Sequence, residues 1–200
     1  MTMKHDFESI LGRVANWAWR DRRSDALESF RPGQIMSKKW LVFEITKFKT
    51  EFNKVAVLGS WNSILVYELL SVNADVKEWH FYDINYNHHI DRANYMEVNG
   101  IKIAETFFDA DVTSLFKDPD VCKEYDLIIN PSCEHMNDIE YQAGPLYALC
   151  STNKTNVREH INTIQHHEDL AVKNNIKKVL YEGTLSVENY ERYCTVGYVE

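Results

Sequence analysis

One seven-residue stretch holds more reactive chemistry than any other part of the chain: Asn130-Pro131-Ser132-Cys133-Glu134-His135-Met136. It places an amide, a hydroxyl, a thiol, a carboxylate and an imidazole side by side. Glu134 and His135 are the pair suited to catalytic acid–base work, because environment can tune either group towards neutrality. Cys133 is a poorer nucleophile: thiolate chemistry wants positive surroundings, and Glu134 is its neighbour. A buried structural hydrogen-bond network would use the same residue types and stands as the alternative. Downstream, Asn153 and His160 join Ser132 as polar groups able to line an acceptor pocket; an ordinary surface loop explains them equally well.

Three further positions carry binding chemistry. Gly59-Ser60-Trp61 follows a short apolar run. A glycine there permits a tight turn and close approach of backbone to a ligand, and the helix N-terminus beyond it offers free N–H groups. With one glycine the segment is not a G-x-G-x-x-G fingerprint, and a plain strand-to-helix turn is the alternative. Asp83 stands 24 residues past Gly59, the offset at which an acid accepts hydrogen bonds from ribose hydroxyls. Asp111, followed by Val112, is placed to meet an adenine amino group. Helix capping is the alternative for both aspartates. His88-His89 and His166-His167 are adjacent pairs that diverge on a helix, and the cysteine spacings match no zinc framework, so no metal site is expected.

The elements that would position these residues are legible from periodicity. Phe7, Ile10, Leu11, Val14, Trp17 and Ala18 recur at helical spacing. Arg31-Pro32-Gly33 breaks the chain, and a second helix is expected with Ser37 as cap and Leu41, Ile45 and Phe48 on one face. From residue 51 the pattern alternates. Strands are expected at 54–59, 79–83, 105–108, 125–130, 146–150, 178–182 and 190–198. Helical stretches separate them, around Leu65 to Val72, His89 to Val98, Val112 to Phe116 and His167 to Asn174. This is an α/β order with a largely parallel sheet. About seven residues join the final two strands, too few for a parallel crossover, so the last strand runs antiparallel. The expectation is a Rossmann-like, seven-stranded, mostly parallel sheet forming one unit over residues 51–200. A helical extension over residues 1–50 precedes it.

Composition sets outer limits. The 200 residues are 44% hydrophobic and 26% charged, which excludes disordered and low-complexity classes. The formal charge of −8 disfavours non-specific nucleic-acid binding, and the Arg20, Arg22 and Arg23 cluster reads as a solvated helix end. No apolar run is long enough to span a bilayer, and Met1 to Asp6 carry no apolar core of a secretory leader. A cytoplasmic protein is expected (host cytoplasm if viral), with four free, buried cysteines and no membrane partner. Trp17, Trp19 and Trp40 on the N-terminal helices offer a surface for oligomer formation.

Taken together, Gly59-Ser60-Trp61, Tyr82-Asp83, Asn130 to Met136 and a closing Tyr181-Glu182-Gly183, Tyr190 to Tyr193 and Val196-Gly197 give the chain a likeness to a known family. From Phe52 to Tyr198 it resembles the class I S-adenosylmethionine-dependent methyltransferases, and more narrowly a group of small methyltransferase-like proteins of phages and bacteria. The resemblance implies S-adenosylmethionine as cofactor and a small-molecule, nucleotide or protein acceptor. It puts Gly59 under the methionine part of the cofactor with Ser60 and Trp61 beside it, Asp83 on the ribose, and Asp111 and Val112 at the adenine. Asn130 falls near the sulfonium, with Ser132, Glu134 and His135 facing the acceptor. Two departures from the family pattern stand out: Val57 where an acid is usual, and Trp61 where a small residue is usual. They leave open a non-catalytic binding or assembly module of the same fold, or an enzyme using the cofactor for other chemistry.

Overall fold

A computed structural model describes residues 7–20, 31–60, 64–100 and 104–200. Seven strands make one sheet: β1 Glu51–Leu58, β2 Asp75–Asp83, β3 Ala104–Asp109, β4 Leu127–Asn130, β5 Leu146–Thr152, β6 Lys178–Val187 and β7 Tyr190–Tyr198, in the spatial order β3-β2-β1-β4-β5-β7-β6. Pairs β1–β2, β1–β4, β2–β3 and β4–β5 are parallel, while β7 is antiparallel to both β5 and β6. The central strands β4 and β5 are buried at every residue, as strands covered on both faces must be.

Side-chain alternation splits the core into two layers. Val55, Val57, Ile129, Ala148, Cys150, Cys194 and Val196 face helices α1 (Phe7–Arg20), α2 (Pro32–Phe48) and α3 (Ile64–Ser71). Ala56, Leu58, Ile128, Tyr147 and Leu149 face the other way, towards Phe116, Cys122, Tyr141 and Leu170. That second layer is closed by the short helices α5 (Val112–Leu115) and α6 (Pro119–Cys122) and by α7 (His167–Lys173). Helix α4 (Tyr86–Val98) follows β2. The four cysteines are free thiols and buried. Among the described residues, no helix is long and apolar enough to cross a membrane.

Several local expectations are corrected. Helix α2 starts at Pro32, not at Ser37: proline at the first helical position lacks only an N–H that would be unpaired anyway. Ser37 is buried inside the helix, with its hydroxyl on the Gln34 carbonyl at 3.1 Å. Phe48 is exposed rather than part of the apolar face. β6 runs on to Val187, so two residues rather than seven connect it to β7, with Glu188 at φ 43° supplying the left-handed turn. The direction of β7 follows from that shortness, but its seat between β5 and β6 does not.

The N-terminal tryptophans also divide. Trp17 is core, donating Nε1–H to Asn94 Oδ1 at 2.8 Å and meeting Tyr95 edge-on. Trp40 donates to the Tyr181 hydroxyl at 3.0 Å. Trp19 alone of the three projects outwards, 76% exposed. Arg22 and Arg23 lie outside the described residues.

Candidate active site at the carboxyl ends of the central strands

The chain runs outward from β1 through β2 to β3, then returns to place β4 on the opposite side of β1. Open α/β sheets bind ligands at such a switch point, beyond the carboxyl ends of the strands. Leu58 pairs with Tyr82 and Val57 with Ile129, so Gly59 and Asp83 emerge side by side, with Asn130 one position earlier, level with Leu58.

Gly59 adopts φ +55°, a conformation glycine takes without a Cβ penalty. The Ser60 N–H then donates to the Tyr82 carbonyl at 2.9 Å, tying the turn to β2, and Ser60 is fully buried. Trp61, with Asn62 and Ser63, lies outside the described residues. A Cβ on Gly59 would stand 2.6 Å from the Met136 methyl. The space above the glycine is therefore taken by the flexible end of a thioether side chain.

Asp83 is buried, and its two oxygens have separate partners. Oδ1 accepts from the Asn85 N–H at 2.9 Å, while Oδ2 lies 3.1 Å from His88 Nδ1 without hydrogen-bond alignment. The cap of α4 is Asn85, whose side chain accepts from Asn87 N–H, so Asp83 is not the capping residue. Asp111 does cap a helix, α5: its Oδ1 accepts from both the hydroxyl and the N–H of Thr113, which holds its carboxyl below the usual aspartate range. Val112 is buried among Tyr82 and Phe116.

Asn130 spends its amide within the protein. Nδ2 donates to the Tyr141 hydroxyl at 3.0 Å and to Met136 Sδ at 3.1 Å, and Oδ1 accepts from Ser132 N–H. The 3₁₀ turn Cys133–His135 follows. Cys133 is buried, and loss of hydration drives its thiol pKa well above the ordinary value, so it stays protonated. Glu134 is 1% exposed, and its Oε1 accepts from Arg192 Nη1 at 2.5 Å; Arg192 Nη2 donates to the Pro131 carbonyl. Sequence reasoning did not single out Arg192. Strand periodicity marks it, because it shares its face with buried Cys194 and Val196.

Lys38 was missed too. It falls on the helix face of Leu41, Val42 and Ile45 and is buried, donating to Gln34 Oε1 at 2.6 Å. Burial, aided by Arg192, lowers its pKa to about 7.

On the outer side, His160 presents Nδ1 to the Lys154 carbonyl at 2.6 Å and stands edge-on to His135, ring centroids 4.6 Å apart. Asn162 donates from its main chain to the Glu134 carbonyl and from its side chain to the Met136 carbonyl. These bonds hold His160 and the 3₁₀ turn together. Asn153 instead braces β7, accepting from Glu191 N–H at 2.8 Å. The structure thus gathers Ser132, Glu134, His135 and His160, and ties Asn153 into a separate structural bond.

No protein-family model and no curated relative matches the chain. Solved structures do. The N-methyltransferase NodS from Bradyrhizobium japonicum, in complex with S-adenosyl-L-homocysteine, aligns with a TM-score of 0.63 at 10% identity over 94% of this chain and 99% of its own. TrmK from M. capricolum, in complex with S-adenosyl-homocysteine, aligns at 0.54 with 14% identity over 80% and 67%. TehB from Haemophilus influenzae aligns at 0.56 with 15% identity over 80% of this chain. This chain spans 61% of TehB's length. The fold is that of the class I S-adenosylmethionine-dependent methyltransferases, as the strand order also states.

Proposed function

We propose that this protein is an S-adenosylmethionine-dependent methyltransferase acting on a small-molecule, nucleotide or protein acceptor. The observation that carries the reading is the convergence of a left-handed Gly59 turn, buried Asp83 and Asn130 at the switch point of the sheet. The residues fit the cofactor on one condition. Met136 must swing off Gly59, which costs little because the blocking atom is the terminal methyl of a flexible side chain.

When bound, the cofactor supplies a methyl group already activated on a positive sulfur. The protein's task is then alignment, for which well-oriented reactants gain up to roughly 7–11 kcal/mol. Asp83 would accept the ribose hydroxyls, exchanging its contact with His88 for them. Ser132, His135 and His160 would face the acceptor. His135 is the group available to receive a proton, since partial burial lowers its pKa and keeps the ring neutral at neutral pH. Glu134 would act by orienting the turn through Arg192, because it is buried and paired.

Calorimetry and thermal melting with S-adenosylmethionine and S-adenosylhomocysteine test the reading. Ligand at a hundred times its dissociation constant adds about 2.7 kcal/mol, or roughly 5–10 °C for a chain of this length. Absence of binding by both ligands overturns the cofactor assignment.

A second reading is favoured by one observation: Met136 rests on Gly59 while Asn130 is satisfied internally. It makes the domain a non-catalytic module of the same fold. Binding of S-adenosylhomocysteine without methyl transfer to any tested acceptor class would support that reading.

A further inference from the structure

Glu134, His135 and His160 each offer one ligand-type atom, and these atoms lie within 4.8 Å of one another. The state of each group can be worked out separately.

His160 Nδ1 sits 2.6 Å from the Lys154 carbonyl oxygen. A carbonyl only accepts, so Nδ1 is the donor and Nε2 is the nitrogen left to face a ligand. Main-chain carbonyls orient metal-binding imidazoles in this way. His135 stands edge-on against the His160 ring, with the centroids 4.6 Å apart, and brings a second imidazole to the same point. Glu134 is 1% exposed. Arg192 occupies its Oε1, while Oε2 is buried and has no hydrogen-bond partner. A buried carboxylate oxygen without a donor is costly. An imidazole nitrogen from each histidine and an oxygen of the buried Glu134 carboxylate therefore come within reach of a single ion, which is the donor set of a cation site.

We propose that Glu134, His135 and His160 bind a divalent first-row transition ion of borderline softness, such as zinc. Two imidazoles and one carboxylate suit such an ion better than magnesium or calcium, which favour all-oxygen shells. Three protein ligands leave a coordination position open, the pattern of reactive rather than structural zinc sites. Arg192 neutralises Glu134, so the ion keeps its charge and attracts an ionisable oxygen to that position. The ion site stands independently of the methyltransferase reading; where it is filled, His135 is a ligand, and the ion rather than His135 eases loss of the acceptor's proton. The assignment of that open position to an oxygen of the methyl acceptor rests on it.

The test uses the full chain, stripped with a chelator and titrated with cobalt(II) chloride alone, then with zinc chloride in calorimetry. One ion per chain is expected, with the visible cobalt bands of a nitrogen–oxygen site of low coordination number. His160→Ala and His135→Ala, each checked for intact melting, should weaken binding by more than about 100-fold, beyond what loss of a supporting partner costs. The double variant His166→Ala/His167→Ala should bind as the parent does. No cobalt spectrum, or undiminished binding in His160→Ala and His135→Ala, overturns the site. S-adenosylhomocysteine binding is read in parallel on the same stripped protein. A protein that binds S-adenosylhomocysteine but neither cobalt nor zinc defeats only the metal site, and one that binds the ion but not that ligand defeats only the methyltransferase reading.

Discussion

The Met136 side chain lies across Gly59: its methyl is 2.6 Å from where a Cβ on that glycine would stand, and its sulfur accepts from Asn130 Nδ2 at 3.1 Å. A thioether thus rests where the methionine part of the cofactor is expected. Met136→Ala should bind S-adenosylhomocysteine several-fold more tightly, because nothing need be displaced. Gly59→Ala should bind it less well and lower the melting temperature, since an alanine at φ +55° is strained by about 1–2 kcal/mol. Calorimetry on both variants checks the pair. Weaker binding by Met136→Ala would show that the thioether helps to hold the ligand.

Asp83 supplies the next test. A hydrogen bond to a charged group contributes about 1.5–3 kcal/mol, so Asp83→Ala should weaken S-adenosylhomocysteine by roughly 10-fold or more while the protein stays folded. His88→Ala should not weaken it, because the Asp83–His88 contact must open for a ribose to enter. Unchanged affinity in Asp83→Ala would remove the residue from the site.

The Glu134–Arg192 pair is buried on both sides, with side-chain exposures of 1% and 3%. Breaking such a pair leaves an uncompensated buried charge and costs about 3–5 kcal/mol. Arg192→Met should destabilise by that order in urea unfolding. The double change Glu134→Leu/Arg192→Met should recover most of the loss, because neither charge then remains. Glu134→Gln should lower turnover more than it lowers cofactor affinity; equal loss of both would make Glu134 purely structural.

Lys38 gives the protein a pH signature. Its folded pKa is about 7 against an ordinary value of 10.5. Below about pH 7 both states hold the proton, and the cost of burying a charge is felt in full. Above that, the folded protein releases the proton while the unfolded chain keeps it to about 10.5. Stability therefore rises with pH across this window, by up to about 1.4 kcal/mol per pH unit. Lys38→Met should be more stable than the parent at about pH 6 and should lose most of that slope. Urea denaturation at several pH values reads both effects, and an identical slope in the variant would assign the dependence to other groups.

What the amino-acid sequence determined by itself was local in origin. The alternation of β-branched runs with helix-period stretches set out seven strands, because strand and helix repeats depend on near neighbours. The short last connection forced β7 to be antiparallel, and glycine and acid at strand ends marked the switch-point residues. Where two local rules competed, the reading slipped. Arg31-Pro32-Gly33 looked like a break, yet proline at the first turn begins α2. Asp83 and Asp111 looked alike, but only Asp111 caps a helix, since at β2 the cap falls to Asn85.

The tertiary structure alone decided the partnerships. Arg192 reaches Glu134 across 58 positions because β7 inserts beside β5. Met136 covers Gly59, His160 meets His135, and Lys38 is buried on the inner face of α2 for the same kind of reason. Each depends on strand order and on how loops fold back over the sheet. Those are set by the packing of whole elements, and no periodicity within a single element records them.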